Sequence, residues 1–538
     1  SRRGSKPASP ADRSRAMKAH IVGGGFGGLA AAFYLIRNAG VSGEDITIYE
    51  ADEQLGGAFS LGGTAESGYV LPCGAVFDKE FRCTFDLLAA IPSRADPAIS
   101  VRDEFFAFNA RYPFRDRAHI IDRDGHIVHG PHFGLGLRDG FDLIKLSLTP
   151  EAMLDGRRIE EFFSPKFFST EFWLLWSTIM GSLPQHGAAE FRRYINRTIA
   201  LFPDLSDMTH ILRTQLNQYQ AFIEPLADWL RQRGVKMLTG ALVRDIGFVA
   251  SREHITVDRL DYQRAGAASS VAVGAEDIVL VTTGSQAADL SVGSMTEAPG
   301  PQTSGRSWEL WKRLAHARTE FGSPDTFFGA ARIPDSRWVS FTVTTRGPEL
   351  IDLLSALTSS EPGSGGLVTL KDSSWVLSLS ILHRPEVIGQ PSGTNVLWGY
   401  GLYPERNGDF ARKRMAECTG AEILQEVLRH LRFDRQLDAI MASSICIPCD
   451  LPYVNNIWLP RRRIDRPRPV PTGSTNLGLL GQYVEVSREV AFTIEYSART
   501  AWEAIHLLLG RGPAPPPVYQ GQYDPKALFS ALKVFLFQ

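Results

Sequence analysis

The chain has 538 residues, 44% of them hydrophobic, and a formal charge of −2; this describes a globular protein of two or three domains rather than a single core. The small net charge argues against a nucleic-acid partner, and no apolar run reaches the roughly 20 residues of a membrane span. Five cysteines are too few for a disulfide scaffold, which favours a reducing, cytoplasmic location.

Residues 1–16 are basic and rich in serine and proline, and we predict a disordered leader there. A glycine-rich loop follows, with Gly23, Gly25 and Gly28 in a G-x-G-x-x-G pattern. In such a loop the first glycine makes a tight turn, the second lets the backbone approach a pyrophosphate, and the third lets the helix pack closely on the strand. A second strand ends in Glu50, where an acid binds a ribose hydroxyl. Strand, helix, strand and acid together predict a dinucleotide site rather than a glycine turn without a ligand.

A glycine pair, Gly56 and Gly57, comes a few residues after this acid. In flavoproteins of the glutathione-reductase type such a pair passes beneath the cofactor, so it favours FAD over NAD. Later segments match the same fold: a strand would place Val243 beside the adenine, Gly284 ends a buried strand, and Gly481 lies in a strand–glycine–helix pattern. We therefore predict these residues as cofactor-binding.

The predicted fold class is α/β, with a Rossmann-like FAD-binding domain of the glutathione-reductase type, an inserted mixed α+β substrate domain and C-terminal helices. The FAD-binding domain is predicted to be discontinuous, over 17–95, 216–300 and 441–510. The substrate-binding regions are predicted at 96–215 and 301–440, and a C-terminal helical segment at 511–538. Aromatic residues are frequent from 96 to 215; most should be core, and some should line an apolar cavity.

Three other features have a structural and a functional interpretation. Cys446 and Cys449 have the spacing of a redox or zinc pair, but no second pair accompanies them, so we predict buried thiols and no metal site. The basic run that begins at Arg461 predicts a solvated loop, with contact to an acidic headgroup or cofactor phosphate as the alternative. The apolar segment 523–537 either packs on the body or makes peripheral membrane contact.

Ordered motifs along the chain resemble those of the oleate hydratases, also called the myosin-cross-reactive-antigen (MCRA) family, from about Lys18 to the C-terminus. The matching stretches are Val22–Ala32, Gly68–Val70, Glu190–Tyr194, Asn217–Tyr219, Ser307–Trp311, Cys418–Gly420, Asp465–Pro467, Gly481–Glu485 and Tyr523–Pro525. The resemblance implies bound FAD, an unsaturated fatty acid as substrate, and redox-neutral addition of water to its double bond.

The resemblance also implies catalytic residues. The proton-donating tyrosine of the family matches Tyr194, and a nearby polar partner matches Gln218. The family's water-activating glutamate lies in an Arg-Gly-Gly-Arg-Glu-Met run, and this chain has Val76 at the glutamate position and neither arginine. Because valine accepts no proton, we predict that Asp78, or Glu80 beside it, takes over this role.

Three activities stay open at this point. The first is a fatty-acid hydratase that works without the usual glutamate. The second is a flavin-dependent double-bond isomerase or oxidoreductase acting on the same acyl chain, and the third is a non-catalytic FAD- or lipid-binding relative. Retention of Tyr194 and Gln218 disfavours the third, and we prefer the first. The sequence gives neither the chain length, nor the double bond, nor the choice between monomer and homodimer.

Overall fold

A computed structural model describes residues 17–114, 118–128, 131–199, 211–251, 253–302, 304–364 and 367–529. The predicted leader at 1–16 and the end of the predicted C-terminal helix, at 530–538, lie outside the described residues.

A five-stranded parallel sheet organises the nucleotide-binding part of the chain. Its strands are β1 (Ala19–Val22), β2 (Ile46–Tyr49), β7 (Lys236–Leu238), β11 (Ile278–Thr282) and β18 (Leu477–Leu480). They are arranged in the order β18-β11-β1-β2-β7, with every neighbouring pair parallel. The sequences of parallel strands are mostly continuous apolar runs because both faces of a parallel sheet are buried.

A three-stranded antiparallel sheet covers one face of this parallel sheet. It consists of β8 (Ala241–Phe248), β9 (Val257–Arg264) and β10 (Ala267–Ala272). Val279 and Val281 of β11 pack into the same apolar cluster as Val243 and Leu260. Leu280 faces the other way, into a cluster with residues of two long helices. The alternation of side chains along β11 therefore joins the two layers.

A second, eight-stranded sheet contains most of the remaining strands. They are β5 (His119–Ile121), β6 (Ile127–Val128), β12 (Ser291–Val292), β13 (Trp338–Arg346), β14 (Val368–Leu370), β15 (Leu377–Ile381), β16 (Thr394–Gly401) and β17 (Ser444–Leu451), in the order β12-β17-β13-β16-β15-β14-β5-β6. A short hairpin of β3 (Gly62–Thr64) and β4 (Gly68–Val70) packs beside it. The two predicted substrate regions thus contribute strands to one sheet.

The predicted boundary at 441 differs from the sheet pairing. Strand β17 lies inside the range 441–510 that was assigned to the FAD-binding domain, yet it pairs along its whole length with β13 of the eight-stranded sheet. Strand β12, inside 216–300, pairs with β17. The pattern of apolar residues in a strand indicates which residues are buried but not which strand pairs with it. The sequence alone therefore did not assign these two strands to their sheet.

Thirteen α-helices occur among the described residues. They are α1 (Phe26–Ala39), α2 (Arg82–Leu88), α3 (Val101–Arg111), α4 (Leu137–Leu148), α5 (Glu171–Met180), α6 (Ala188–Thr198), α7 (Glu224–Arg231), α8 (Glu309–Ala317), α9 (Ile333–Ser336), α10 (Glu349–Thr358), α11 (Gly420–His430), α12 (Leu437–Ser443) and α13 (Ile494–Leu509). A π-helical turn at Tyr219–Ile223 leads into α7. Helices α1 and α13 pack on each other against the parallel sheet.

The predicted fold class, an α/β chain with a Rossmann-like domain and a mixed second unit, is confirmed. Helix α13 and a helical turn over 525–529 follow the last strand. In the described ranges, none of the helices combines the length and the apolar composition needed to cross a bilayer.

Candidate functional site

A cavity of about 920 Å³ lies at the carboxyl ends of strands β1, β2, β11 and β18. Ligands of open parallel sheets bind at this edge. The cavity brings together eleven of the predicted site residues: Gly23, Gly25, Glu50, Gly56, Gly57, Asp78, Tyr194, Gln218, Val243, Gly284 and Gly481. Gly28 is the predicted site residue that does not line it.

The glycine loop turns the chain from β1 into α1. Gly23 has a φ of 101°, and a Cβ there would lie 2.1 Å from Oγ1 of Thr282. Gly25 is the N-cap of α1 and lines the cavity. The free N–H groups at this helix end, with their partial positive charge, form a site for a phosphate group.

Gly28 acts through packing. A Cβ at this position would lie 1.9 Å from the carbonyl oxygen of Gly23, so we expect Gly28→Ala to lower the free energy of unfolding by about 1–3 kcal/mol through overpacking. Thermal unfolding measures the effect. Gly300→Ala is the matched control because its Cβ would meet no atom within 4 Å. Equal melting temperatures for the two variants would contradict this assignment.

Glu50 and the glycine pair complete the predicted nucleotide cradle. The Glu50 carboxylate accepts hydrogen bonds from the N–H groups of Gly24 (2.6 Å) and Asp52 (2.8 Å). Burial raises the pKa of Glu50, and these two hydrogen bonds oppose the increase. Gly56 forms a parallel bridge with Gly25. The predicted acid and both glycine elements therefore meet in one place.

The cradle fits a dinucleotide such as FAD. At Gly25 a Cβ would have only the Cα of Gly57 within 4.0 Å, and at Gly481 a Cβ would meet no protein atom within 4 Å. Both positions line the cavity, so their missing side chains leave free space at the N-terminus of α1. A diphosphate needs such an approach of bare backbone.

Tyr194 lies on α6 with its ring buried against Trp458, at 4.4 Å between ring centroids. Its hydroxyl oxygen accepts a hydrogen bond from the backbone N–H of Phe492. Burial, and then the charge of Glu190, raise the pKa of Tyr194 well above its ordinary value. The phenol therefore stays protonated at neutral pH, and the Phe492 N–H is placed to stabilise a developing phenolate.

A buried ion network fixes α6 in place. Glu190 of α6 lies 2.7 Å from Nη2 of Arg461 and 3.1 Å from Nη1 of Arg466. Burial alone would raise the pKa of Glu190, but these arginines and Arg193 lower it to about 2. The prediction of a solvated basic loop is therefore wrong for Arg461 and Arg466, which are buried.

Val76 faces the cavity from the loop that follows β4. Its side chain is 45% exposed, whereas the next residue, Phe77, is 2% exposed in the core. Backbone hydrogen bonds of 2.8 Å in both directions pair Phe77 with Leu212. The loop is thus anchored, and the position that carries glutamate in the resembling family holds an apolar side chain beside the cavity.

Asp78, the predicted replacement, has its carboxylate already engaged. One oxygen lies 3.2 Å from Nη1 of Arg197 and the other accepts the backbone N–H of Glu80 at 3.0 Å. Arg197 also donates to the carbonyl of Glu80. The side chain of Glu80 pairs with Arg82 and does not line the cavity. Asp78 contacts the cavity, but as half of an ion pair.

Gln218 connects the Val76 loop to the start of the π-helical turn. Its amide Nε2 donates to the carbonyl of Ala75 (3.4 Å) and to Oγ1 of Thr214 (3.2 Å). The neighbouring Asn217 donates through its backbone and its side chain to the carbonyl of Glu386, both at 2.9 Å. Gln218 therefore lies between the Val76 loop and Glu386.

Among the charged residues of the cavity that sequence analysis missed are Arg213 and Glu386. The three guanidinium nitrogens of Arg213 are buried and have no hydrogen-bond partner within the described ranges. The guanidinium lies 4.2 Å from the ring centroid of Phe114. Burial lowers its pKa to about 10 although Glu386 opposes this, so it stays charged at neutral pH. An unpartnered buried cation in an apolar cavity is a site for an anion.

Glu386 is the acidic neighbour of Arg213. Its side chain is buried and lines the cavity, and burial raises its pKa well above the ordinary value although Arg213 lowers it. His383 lies on the same lining, and burial and then Arg213 lower its pKa. Both shifts disfavour the charged forms of Glu386 and His383, which favours Arg213 as the charge at this end of the cavity.

Side chains that can bind metal ions occur outside the cavity, among them the Cys446 and Cys449 pair and an Asp-Glu-His cluster. Cys446 and Cys449 are buried free thiols on β17, as predicted. Asp409, Glu426 and His430 lie close enough to share an ion. However, Glu426 accepts the backbone N–H groups of three consecutive residues, so its carboxylate is already used to hold that turn.

Comparisons with known proteins address the family. The sequence model of the MCRA family matches residues 16–506. The chain belongs to the MCRA family. An oleate hydratase from Streptococcus pyogenes serotype M49 (strain NZ131) is 33% identical over 532 residues, or 95% of this chain and 88% of that protein. A linoleate hydratase from Lactiplantibacillus plantarum is 30% identical over 564 residues, or 96% and 98%. The resemblance of the motifs is confirmed.

Solved structures share the fold of this MCRA family member. Cyclohexylamine oxidase from Brevibacterium oxydans IH-35A has a TM-score of 0.52 at 13% identity, covering 91% of this chain and 98% of that one. An oxidoreductase from Methanosarcina mazei has a TM-score of 0.50 at 11% identity, covering 90% and 99%. At such low identity the likeness concerns the fold alone.

Proposed function

We propose that this MCRA family member is an FAD-dependent hydratase that adds water to a cis double bond of an unsaturated fatty acid such as oleate. The product is a hydroxy fatty acid, and the reaction is redox-neutral. The observation that carries the proposal is one apolar cavity containing both the protonated hydroxyl of Tyr194 and the cation of Arg213, which has no hydrogen-bond partner among the described residues. The relatives named as hydratases of oleate and linoleate support it.

FAD is the proposed cofactor. The backbone of Gly23 and Gly25 with the N-terminus of α1 would hold its diphosphate, Glu50 its ribose, and Val243 would lie beside its adenine. When bound, the flavin lends electrostatic support to charge that develops during water addition. It is not consumed.

The chain's own residues supply binding and proton transfer. Arg213 pairs with the fatty-acid carboxylate, and the apolar lining, including Phe114 and Trp398, takes the acyl chain. Tyr194 gives its hydroxyl proton to one alkene carbon while water attacks the other. The proton that the water loses returns to the Tyr194 oxygen, so one H₂O is added and no electron is gained or lost.

The test is a product analysis. The purified protein with FAD is incubated with oleic or linoleic acid, and the products are analysed by mass spectrometry. A gain of one water is the expected result. If no hydrated product forms and the fatty acid instead has a shifted double bond at unchanged mass, the protein is an isomerase. The missing loop glutamate at Val76 favours this activity as the second candidate. No product at all would overturn both.

Val76→Glu is expected to raise the hydration rate about tenfold or more, because a positioned general base typically contributes about 10²–10⁴-fold and this position now has none. Val76 faces the cavity and is half-exposed, so the longer side chain has room. Val76→Gln is the control because it has a similar size and no basic carboxylate. If both variants matched the original chain, another group such as Asp78 would already activate the water.

Fatty-acid binding is expected to weaken as pH rises. Below the raised pKa of Glu386 its carboxyl is neutral and Arg213 faces the substrate carboxylate unopposed; above it, Glu386 becomes an anion that repels the substrate and pairs with Arg213. Calorimetric titration with a saturated fatty acid between pH 6 and 8, well below the Arg213 pKa of about 10, measures this. Glu386→Gln should remove most of the pH dependence; an unchanged pH profile in that variant would contradict the role.

We also propose a cytoplasmic location and peripheral membrane contact through the C-terminal helix, with either a monomer or a homodimer as the oligomeric state. Five free cysteines support a reducing compartment.

A further inference from the structure

Helix α4 has an apolar face that points to solvent. Leu137, Phe141, Ile144 and Leu148 are 90%, 67%, 52% and 76% exposed. Their spacing of four, three and four residues places them on one stripe of the helix, which we call the α4 stripe. Met153, five residues after the helix, is also exposed. A contiguous apolar surface of this kind marks an interaction site more often than a scattered single residue does.

The helix itself is firmly attached to the protein. Leu143 and Leu146 on its opposite face are buried, and Asp139 accepts the N–H of Gly136 at 2.8 Å to cap its first turn. Ser147 donates to the side chain of Asn196 on α6. The orientation of α4 is therefore fixed by its other face, and the α4 stripe is presented outward.

Basic side chains flank the α4 stripe. Arg138 and Lys145 are exposed and lie seven residues apart, on one side of it. Asp142 is the acidic neighbour, 3.8 Å from Arg138, and Lys145 forms no ion pair with any described residue. An apolar stripe with lysine and arginine at its border is the pattern of a helix that lies in the interface of a membrane with anionic lipids.

The α4 stripe is close to the proposed substrate cavity. Helix α4 packs on α6, and α6 carries Tyr194 and Arg197, which line the cavity. One layer of helix therefore separates the stripe from the site. A long-chain fatty acid partitions into membranes, and this choice of partner rests on the proposed function.

We propose that the α4 stripe docks on an anionic lipid surface, with its four apolar side chains in the headgroup–acyl boundary and Arg138 and Lys145 contacting lipid phosphates.

The experiment uses the full chain with FAD and sedimenting vesicles made of equal parts of phosphatidylcholine and phosphatidylglycerol. The original chain should co-sediment, and Phe141→Ser/Leu148→Ser should bind at least about tenfold more weakly, because the two substitutions remove apolar side chains that would be buried in the lipid. Lys145→Glu should also weaken vesicle binding, and its effect should be larger at low salt than at high salt because salt screens the attraction to anionic lipid. Melting temperatures should not fall, since these side chains contact solvent.

Ile464→Ser is the matched control because Ile464 is equally exposed outside α4. Absence of vesicle binding by the original chain, or equal binding by the double variant, would overturn the proposal. So would a homodimer that the double variant dissociates without any effect on vesicles, since the α4 stripe would then be a subunit interface. If vesicle binding needs the α4 stripe but no hydrated product forms, the proposed function fails while the docking stands.

Discussion

Replacing Tyr194 with phenylalanine is expected to lower kcat for hydration by about 10²–10⁴-fold, the usual contribution of a positioned general acid. The variant keeps the ring that packs on Trp458 and removes only the hydroxyl. Burial keeps the Tyr194 phenol of the original chain protonated throughout the neutral range. The rate difference between the original chain and the variant should therefore be the same at every pH in that range. The measurement is initial rate by mass spectrometry of the hydroxy fatty acid.

Two readouts separate this loss from a loss of folding. The flavin absorbance of the purified variant should be unchanged, and the free energy of unfolding should fall by only about 1 kcal/mol for the lost hydrogen bond to the Phe492 N–H. Tyr523→Phe is the control, because that hydroxyl belongs to an exposed side chain at the C-terminal segment. Full hydration by Tyr194→Phe would show that another group donates the proton.

Replacing Arg213 with alanine is expected to raise KM for a free fatty acid by about 10–150-fold, since a hydrogen bond to a charged group is worth about 1.5–3 kcal/mol. The guanidinium is buried, lies above Phe114, and has no other hydrogen-bond partner among the described residues. Its removal should also raise the pKa of Glu386 further, because Arg213 is the charge that lowers it.

The substrate provides the control for this variant. The original chain should prefer oleic acid to its methyl ester, whereas Arg213→Ala should process both with similar KM. Arg213→Lys should recover part of the preference, because a lysine keeps the charge but loses the planar fork. If the variant still discriminated between acid and ester as the original chain does, the carboxylate would bind elsewhere.

The nucleotide cradle was predictable because its signals are local. Gly23 and Gly25 occupy one short turn, and Glu50 follows at a spacing set by a single strand–helix–strand unit. Each of these residues is required by backbone conformation or by close approach of a ligand, and both requirements are visible in adjacent letters.

The end of the cavity that contains Arg213 and Glu386 was not predictable because it is assembled from distant segments. Arg213 and Glu386 belong to segments far apart in the chain, which are joined by the hydrogen bonds from Asn217 to the carbonyl of Glu386. An isolated arginine or glutamate in a sequence is usually a solvated surface residue. The same reason explains Arg461 and Arg466, whose acidic partner Glu190 lies on another helix. Strand β17 lies in the range 441–510 that was predicted for the FAD-binding domain, and its pairing with β13 was not visible because that partner is equally remote in the sequence.

The buried ion network under Tyr194 has a consequence for redesign. Helix α6 receives its position from Arg461 and Arg466, while the Phe492 N–H that meets the phenol belongs to a third segment. Copying α6 into another dinucleotide-binding scaffold would leave Glu190 as a buried carboxylate without Arg461 and Arg466, with only Arg193 of α6 itself to offset its charge, which costs several kcal/mol. The transplantable unit is therefore α6 together with residues 461–466 and 485–492, and engineering that varies one of these segments has to vary the others with it.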